Sequence, residues 1–118
     1  MRYDVVIIGA GAAGFGCALT LGSANDKFDW AKDKKYLILD DNKSDLNVGK
    51  YFNVAGVDSG INGVDLLLKM KKQLEIYKDV ELKDEKATKI ENLGEYFKIT
   101  TENSTYEASI VVLAIGLH

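Results

Sequence analysis

Residues Tyr3 to Gly14 read YDVVIIGAGAAG, and the fold is decided within them. Val5, Val6, Ile7 and Ile8 form a short continuous apolar run, the pattern of a strand buried on both faces of a parallel sheet. The run ends in Gly9, Gly11 and Gly14, spaced Gly-x-Gly-x-x-Gly, and mostly small residues continue through Ala18. Each glycine answers a separate demand. The first permits a tight strand-to-helix turn, the second lets a pyrophosphate approach the backbone, and the third lets the helix pack close on the strand. A helix beginning near Ala12 would turn free amides and the positive end of its dipole toward phosphates. Such spacings arise by chance, but between a strand and a helix they predict nucleotide binding.

Working outward, Ala12 to about Gly22 reads as a helix of small residues, with Cys17 a buried, inert thiol within it. Residues 22–35 are polar and either extend that helix or form a surface loop, with Phe28 and Trp30 expected to pack on a core edge. Tyr36 to Asp40 (YLILD) reads as a second buried strand ending in two acids. A carboxylate at that point accepts hydrogen bonds from the ribose hydroxyls of an adenosine. Asp40 stands 26 residues after Gly14, against about 20 in the usual pattern, and an insertion within residues 22–35 accounts for the excess. Leu37, Ile38 and Leu39 lead straight into Asp40, which ranks it ahead of Asp41. An acid there disfavours a 2′-phosphate, so the expected dinucleotide is FAD or NAD rather than NADP. Taken alone, Asp40 would read as a solvated strand-end acid; the glycine loop tips the balance.

Residues 41–60 carry turn residues without periodicity and read as a loop. Asn62 caps a helix with Asp65 three positions later, and Leu67, Met70, Leu74 and Tyr77 share one face of a helix predicted to run to about Lys78. Short strands follow at Val80 to Lys83 and Ala87 to Glu91, then Glu95 to Thr101 and Thr105 to Glu107 around turns at residues 92–94 and 102–104. Ile110 to Ile115 is continuously apolar and predicts a central parallel strand. The fold class is α/β: a Rossmann-like FAD/NAD(P)-binding fold, with a parallel central sheet and a small antiparallel β-meander.

The bulk numbers narrow the function classes. At 118 residues, 47% apolar and 28% charged, the chain is one domain of ordinary globular composition. A net charge of −3 argues against nucleic-acid and anionic-membrane surfaces. Alternating lysines and acids over residues 69–91 read as solvated faces. No apolar run approaches the roughly 20 residues of a membrane span, and the N-terminus lacks the pattern of a signal peptide. Cys17 is the one cysteine, which leaves no internal disulfide and makes a cytoplasmic location the expectation. There is no proline at all.

In their order along the chain, these motifs resemble the FAD domain of thioredoxin-reductase-like flavoproteins, of the pyridine nucleotide–disulfide oxidoreductase group. YDVVIIGAGAAG resembles the opening strand and glycine loop, and YLILDD the second strand with its ribose acid. NVAG at Asn53 to Gly56 resembles an Asn-Tyr-Pro-Gly turn beside the flavin, INGVDLLLKMKKQ the helix after it, and YEASIVVLAIG the return strand ending in Ala-Thr-Gly. The resemblance implies that Gly9, Gly11, Ala12, Ala13 and Gly14 cradle an FAD pyrophosphate. It implies that Asp40 holds the adenosine ribose with Asp41 close by, and that Asn53 lies near the flavin. Ala87 would meet adenine through its backbone, and Ala114 and Gly116 would pass close to the cofactor. The implied reaction is electron transfer from NAD(P)H through flavin to a disulfide or another acceptor.

The chain departs from that pattern in ways that bear on the site. Ala12 and Ala55 stand where the family has proline, Ile115 where it has threonine, and no Gly-Gly-Gln follows the second strand. The inserted nicotinamide domain, the redox cysteine pair and the return segment that completes the FAD site are not among these 118 residues. No catalytic residue or metal ligand is assigned, and His118 is given no role. Two other readings are a non-catalytic or partner-dependent nucleotide-binding module, completed by a partner chain or a second copy, and the FAD domain of a flavin monooxygenase.

Overall fold

The computed structural model describes residues 2–115. Strand β1 (Arg2–Ile8) leads into helix α1 (Ala12–Lys27), a single 3₁₀ turn (Asp29–Ala31) and strand β2 (Tyr36–Leu39). A second 3₁₀ turn (Asp45–Val48) and the paired short strands β3 (Lys50–Tyr51) and β4 (Ile61–Asn62) precede helix α2 (Gly63–Leu74). Strands β5 (Val80–Lys83), β6 (Ala87–Asn92), β7 (Phe97–Thr101) and β8 (Thr105–Leu113) complete the chain. The main sheet has six strands in the order β5-β2-β1-β8-β7-β6. Its first four are mutually parallel, and β7 and β6 add antiparallel. The Rossmann-like fold read from the glycine loop and the apolar strands is therefore the one observed.

Why β1 and β2 are continuously apolar is visible in the packing. On one face Val5, Ile7, Tyr36 and Ile38 meet Phe15 and Ala18 of α1 and Leu67 and Leu74 of α2. Val6, Ile8, Leu37 and Leu39 meet Ile99 and Ala108, with Phe97 and Tyr106 packed around them, in a second core cluster. Strands covered on both sides have no polar-out alternation. Asn62 caps α2 as its sequence suggests: its Oδ1 accepts from the Asp65 amide at 2.9 Å and its Nδ2 donates to the Asp65 carboxylate at 2.9 Å.

Of the two readings open for residues 22–35, helix α1 takes the first in part, continuing past Gly22 to Lys27, where Asn25 on its last turn is a buried polar hub. Asn25 Nδ2 donates to the Lys34 carbonyl at 2.8 Å and to Asp79 at 3.0 Å, while the buried Tyr36 hydroxyl donates to its Oδ1 at 2.8 Å. Phe28 and Trp30 do not cover the core. They stack on each other with ring centroids 5.6 Å apart, and Trp30 is 73% exposed. Helix α2 ends at Leu74 rather than near Lys78, the chain turning there to bring Tyr77 back toward β5. Thr105 to Leu113 is one strand rather than two, pairing with β7 through its first half and with β1 along most of its length.

Replacing Asn25 by Ala should cost about 2 kcal/mol or more in urea unfolding, since the buried Tyr36 hydroxyl and the Lys34 carbonyl would each lose a partner. Tyr36→Phe should recover part of that loss in the double variant. Alkaline pH provides a second check. Burial, then the hydrogen bond it donates to Glu81 at 3.1 Å, pushes the Tyr3 hydroxyl up to about 12. The folded state thus keeps a proton that the unfolded chain gives up near pH 10. Stability conferred by Tyr3 is complete below that value and is lost as pH rises toward 12, on the order of 2 kcal/mol. Burial also raises Tyr36 and Tyr106, so the limb is shared. Denaturation midpoints between pH 9 and 12 should fall less steeply in Tyr3→Phe.

Candidate functional site

Beyond the carboxyl ends of the parallel strands the glycine loop opens onto a cleft of about 390 Å³. Two of the three glycines are held by backbone contacts. A β-carbon on Gly14 would lie 1.9 Å from the Gly9 carbonyl oxygen, so α1 can press this close to the end of β1 only without a side chain there. Gly9 itself has φ +109°, and a β-carbon on it would lie 2.2 Å from the Ala114 carbonyl oxygen. Gly11 is different. A β-carbon there would meet, within 4 Å, only the Ser44 side chain, with Oγ at 3.0 Å. Its openness serves the cleft rather than the fold.

Gly11 also caps α1 without a side-chain hydrogen bond, and the first turn holds no acid. The first intrahelical bond runs from the Phe15 amide to the Gly11 carbonyl at 3.0 Å. The amides at the head of α1 precede that bond and have no intrahelical acceptor. Ala12 and Ala13 line the cleft, so an uncapped helix start faces it with its positive dipole end. Lys43 and Lys86 add two cations to the lining and Asp41 one anion. The chemistry suits an anionic ligand with a large apolar body, for which Leu46, Tyr51 and Ala87 supply wall.

Not every residue singled out in the sequence lies there. Gly9, Gly11, Ala12, Ala13, Asp41, Ala87 and Ala114 line the cleft together. Gly14 supports it from behind, through the Gly9 contact. Asp40 is 4% exposed and lines a separate cavity of about 250 Å³ between β2 and α2, which shares Ala10 and Ser44 with the main cleft. Asn53 is exposed and lines neither. Gly116, like His118, lies outside the described residues. Lys43, Ser44, Tyr51 and Lys86 are cleft residues that motif reading passed over, because a loop without periodicity gives no sign of which side chains turn inward. Cys17 is partly buried, and burial raises its thiol above the ordinary range, as expected of an unreactive thiol. Among the described residues no cluster of metal-ligating side chains occurs, and no helix is long and apolar enough to cross a membrane.

Strand, glycine loop and helix, with the cleft opening beside them, define a Rossmann-like α/β fold. Residues 3–118 match the family model described as pyridine nucleotide-disulphide oxidoreductase, and the chain belongs to that family. It is 32% identical over 114 residues to a thioredoxin reductase of Treponema pallidum, a match covering 97% of this chain and 35% of that protein. Among solved structures, thioredoxin reductase from Streptococcus pyogenes superposes with a TM-score of 0.83 at 33% identity, over 98% of this chain and 35% of the other. Thioredoxin reductase from Lactococcus lactis gives 0.82 at 31% identity, over 99% and 36%. The likeness to thioredoxin-reductase-like proteins seen in the motifs is therefore real and runs nearly end to end. The chain spans about a third of the length of these relatives.

The two kinds of glycine should separate experimentally. Gly14→Ala forces α1 off β1 and should lower stability by at least about 2 kcal/mol in urea unfolding. Gly11→Ala, which meets only the movable Ser44 hydroxyl, should stay within about 1 kcal/mol of wild type.

Proposed function

We propose that this chain forms one wall of an FAD site in a thioredoxin-reductase-like oxidoreductase that passes electrons from NAD(P)H to a disulfide or another acceptor. The observation that carries the reading is the uncapped start of α1 facing a cleft lined by Gly9, Gly11, Lys43 and Lys86. The amides at the head of α1 would hold the pyrophosphate, and Gly11 would let it approach. Lys43 and Lys86 would offset its charge, Ala87 would meet the adenine through its backbone, and Leu46, Tyr51 and Ala114 would border the flavin side. When bound, the flavin supplies the electron-transfer chemistry, and the protein binds and orients it. The lining contains no histidine or cysteine among the described residues, so the group that meets the acceptor comes from elsewhere in this reading.

A further segment completes the cleft. The register between β7 and β8 stops at Ala108, so the β7-facing edge of residues 109–113 has no strand partner among the described residues. Ile110 and Leu113 beside it are 55% and 61% exposed. That open edge also supports the second reading, a nucleotide-binding module that needs a partner chain to bind FAD or NAD tightly.

The purified protein should be yellow, or its apo form should take up FAD in a titration followed by flavin fluorescence. Gly11→Val should weaken FAD at least tenfold while leaving the melting temperature within a few degrees. A colourless wild type that binds NAD but not FAD favours the module. No affinity for either cofactor would sink the first reading for this chain by itself, and no affinity even with a partner chain added would sink the second.

A further inference from the structure

The short link between β5 and β6 closes the sheet on itself, and one of its residues is clamped. The inference rests on the cleft reading just given. We propose that Glu85 is a positioning residue that ties the β-meander to the cleft. Gripped by hydroxyls of β7 and β8, it sets the Lys86 side chain and the Ala87 backbone where a bound cofactor meets them.

Strands β5 and β6 lie at opposite edges of the main sheet, yet only Asp84, Glu85 and Lys86 join them. Six strands laid flat would measure about 24 Å from edge to edge, whereas the chain from Lys83 to Ala87 reaches at most about 14 Å. The sheet therefore folds back, which is why Ile99 and Ala108 of the meander share a core cluster with Leu37 and Leu39 of β2. The link crosses that fold at the carboxyl end of β5, where Lys83 stands opposite Leu39, beside the cleft that Lys86 and Ala87 line. A register shift between Ala87 and Lys89 against β7 puts a β-bulge directly after it. A bulge leaves a residue unpaired and bends its strand, so pairing with β7 does not by itself fix how Lys86 and Ala87 are presented.

Glu85 supplies what the bulge leaves out. Its Oε1 accepts from the Thr101 hydroxyl on β7 at 2.6 Å, and its Oε2 accepts from the Tyr106 hydroxyl on β8. Thr101 is buried, and its Oγ1 in turn accepts from the Asn103 and Ser104 amides at 3.2 and 2.9 Å, so the turn between β7 and β8 backs the clamp. Lys83 Nζ lies 5.7 Å from the centre of the Tyr106 ring, and the Tyr3 ring meets that ring edge-on, which holds the tyrosine in place. Charge-assisted bonds from two different strands fix a carboxylate in both position and direction. They also hold the Glu85 carboxyl below the usual carboxylate range, Thr101 foremost. An acid next to Lys86 opposes an anionic ligand by its charge, so its value to the cleft is geometric.

Titration with FAD, followed by flavin fluorescence, and hydrogen exchange of the amides of residues 84–88 test the assignment. Glu85→Ala should weaken FAD about tenfold, the loss of one well-placed charged contact, and should speed exchange across the link. Removal of a negative charge would by itself do the reverse and tighten FAD. Glu85→Gln keeps the shape and one acceptor oxygen, and its amide can donate to the other hydroxyl, so it should stay within about threefold of wild type. Tyr3→Phe disturbs the same core cluster without touching the link. It should leave FAD affinity unchanged even where its melting temperature falls as far as that of Glu85→Ala. FAD affinity unchanged or tighter in Glu85→Ala overturns the proposal and leaves the cleft reading standing. So does unchanged exchange at the link, or an equal loss of affinity in Tyr3→Phe, which would mark lost stability alone. A wild type with no affinity for FAD overturns the proposal together with the cleft reading for this chain.

Discussion

The contact between the Gly9 carbonyl and the bare Cα of Gly14 is the constraint on which the rest of the arrangement depends. At a distance that would put a β-carbon 1.9 Å from the oxygen, α1 has its first turn set against the end of β1. Two consequences follow from that closeness. The uncapped amides at the head of α1 emerge at the carboxyl edge of the sheet, where no side chain of the first turn competes for them. Phe15, the next residue, drops into the core at 0% exposure and locks the helix to Val5, Ile7 and Ile38. The same glycine pair therefore fixes both the packing of α1 on β1 and the shape of the cleft, and the two cannot be tuned independently. Gly11 alone stands outside that coupling.

Topology then places the cleft. Chain order runs outward from β1 to β2 and β5 on one side, while β8 lies on the other. A crevice opens where the connections diverge, beyond the strand ends, and this is where open α/β sheets bind ligands. Here the divergence falls between β1 and β8, and Ala114 donates its amide to the Ile8 carbonyl at 2.8 Å to close the floor. The electrostatics match the position. The lining sets two lysines and a helix start against one acid, although the whole chain carries a net charge of −3. A local field opposed to the global one has to come from placement, because composition alone would favour the opposite sign.

How much of this was legible in the sequence follows from the range of the forces involved. Strand β1, the glycine loop, β2, β5 and the Asn62 cap depend on neighbours within a few residues, and each was readable from its own stretch. The length of α1 was not, because it is decided by Asn25 meeting Lys34, Tyr36 and Asp79, the last of them 54 residues away. Strand β8 read as two pieces because Tyr106 and Ala108 face the meander cluster while Ile110 has little cover; its continuity comes from β1. Trp30 was expected in a core edge, but its segment is an excursion from the sheet, where the ring stacks on Phe28 and stays largely exposed. In the site, the glycine loop was legible, whereas the inward turn of Lys43 and Tyr51 was not, because the loop that carries them has no periodicity to show which side chains face the cleft.

The absence of proline can be argued on the same physical terms. Ala12 is the first residue of α1, at the position where the resemblance read from the motif would place a proline. Proline at that position presets a helical φ and lacks an amide that the helix would leave unpaired anyway. Alanine gives up the preset φ but restores the N–H, at a place already lining the cleft. The exchange thus adds one donor to the head of α1 and loosens the backbone that presents it. For an anion held by aligned amides, the extra donor strengthens the hold while the extra freedom must be lost on binding. The two effects oppose each other within the first turn. Helix α1 limits the second of them from below, since Gly14 and Phe15 already fix the backbone two and three residues further on.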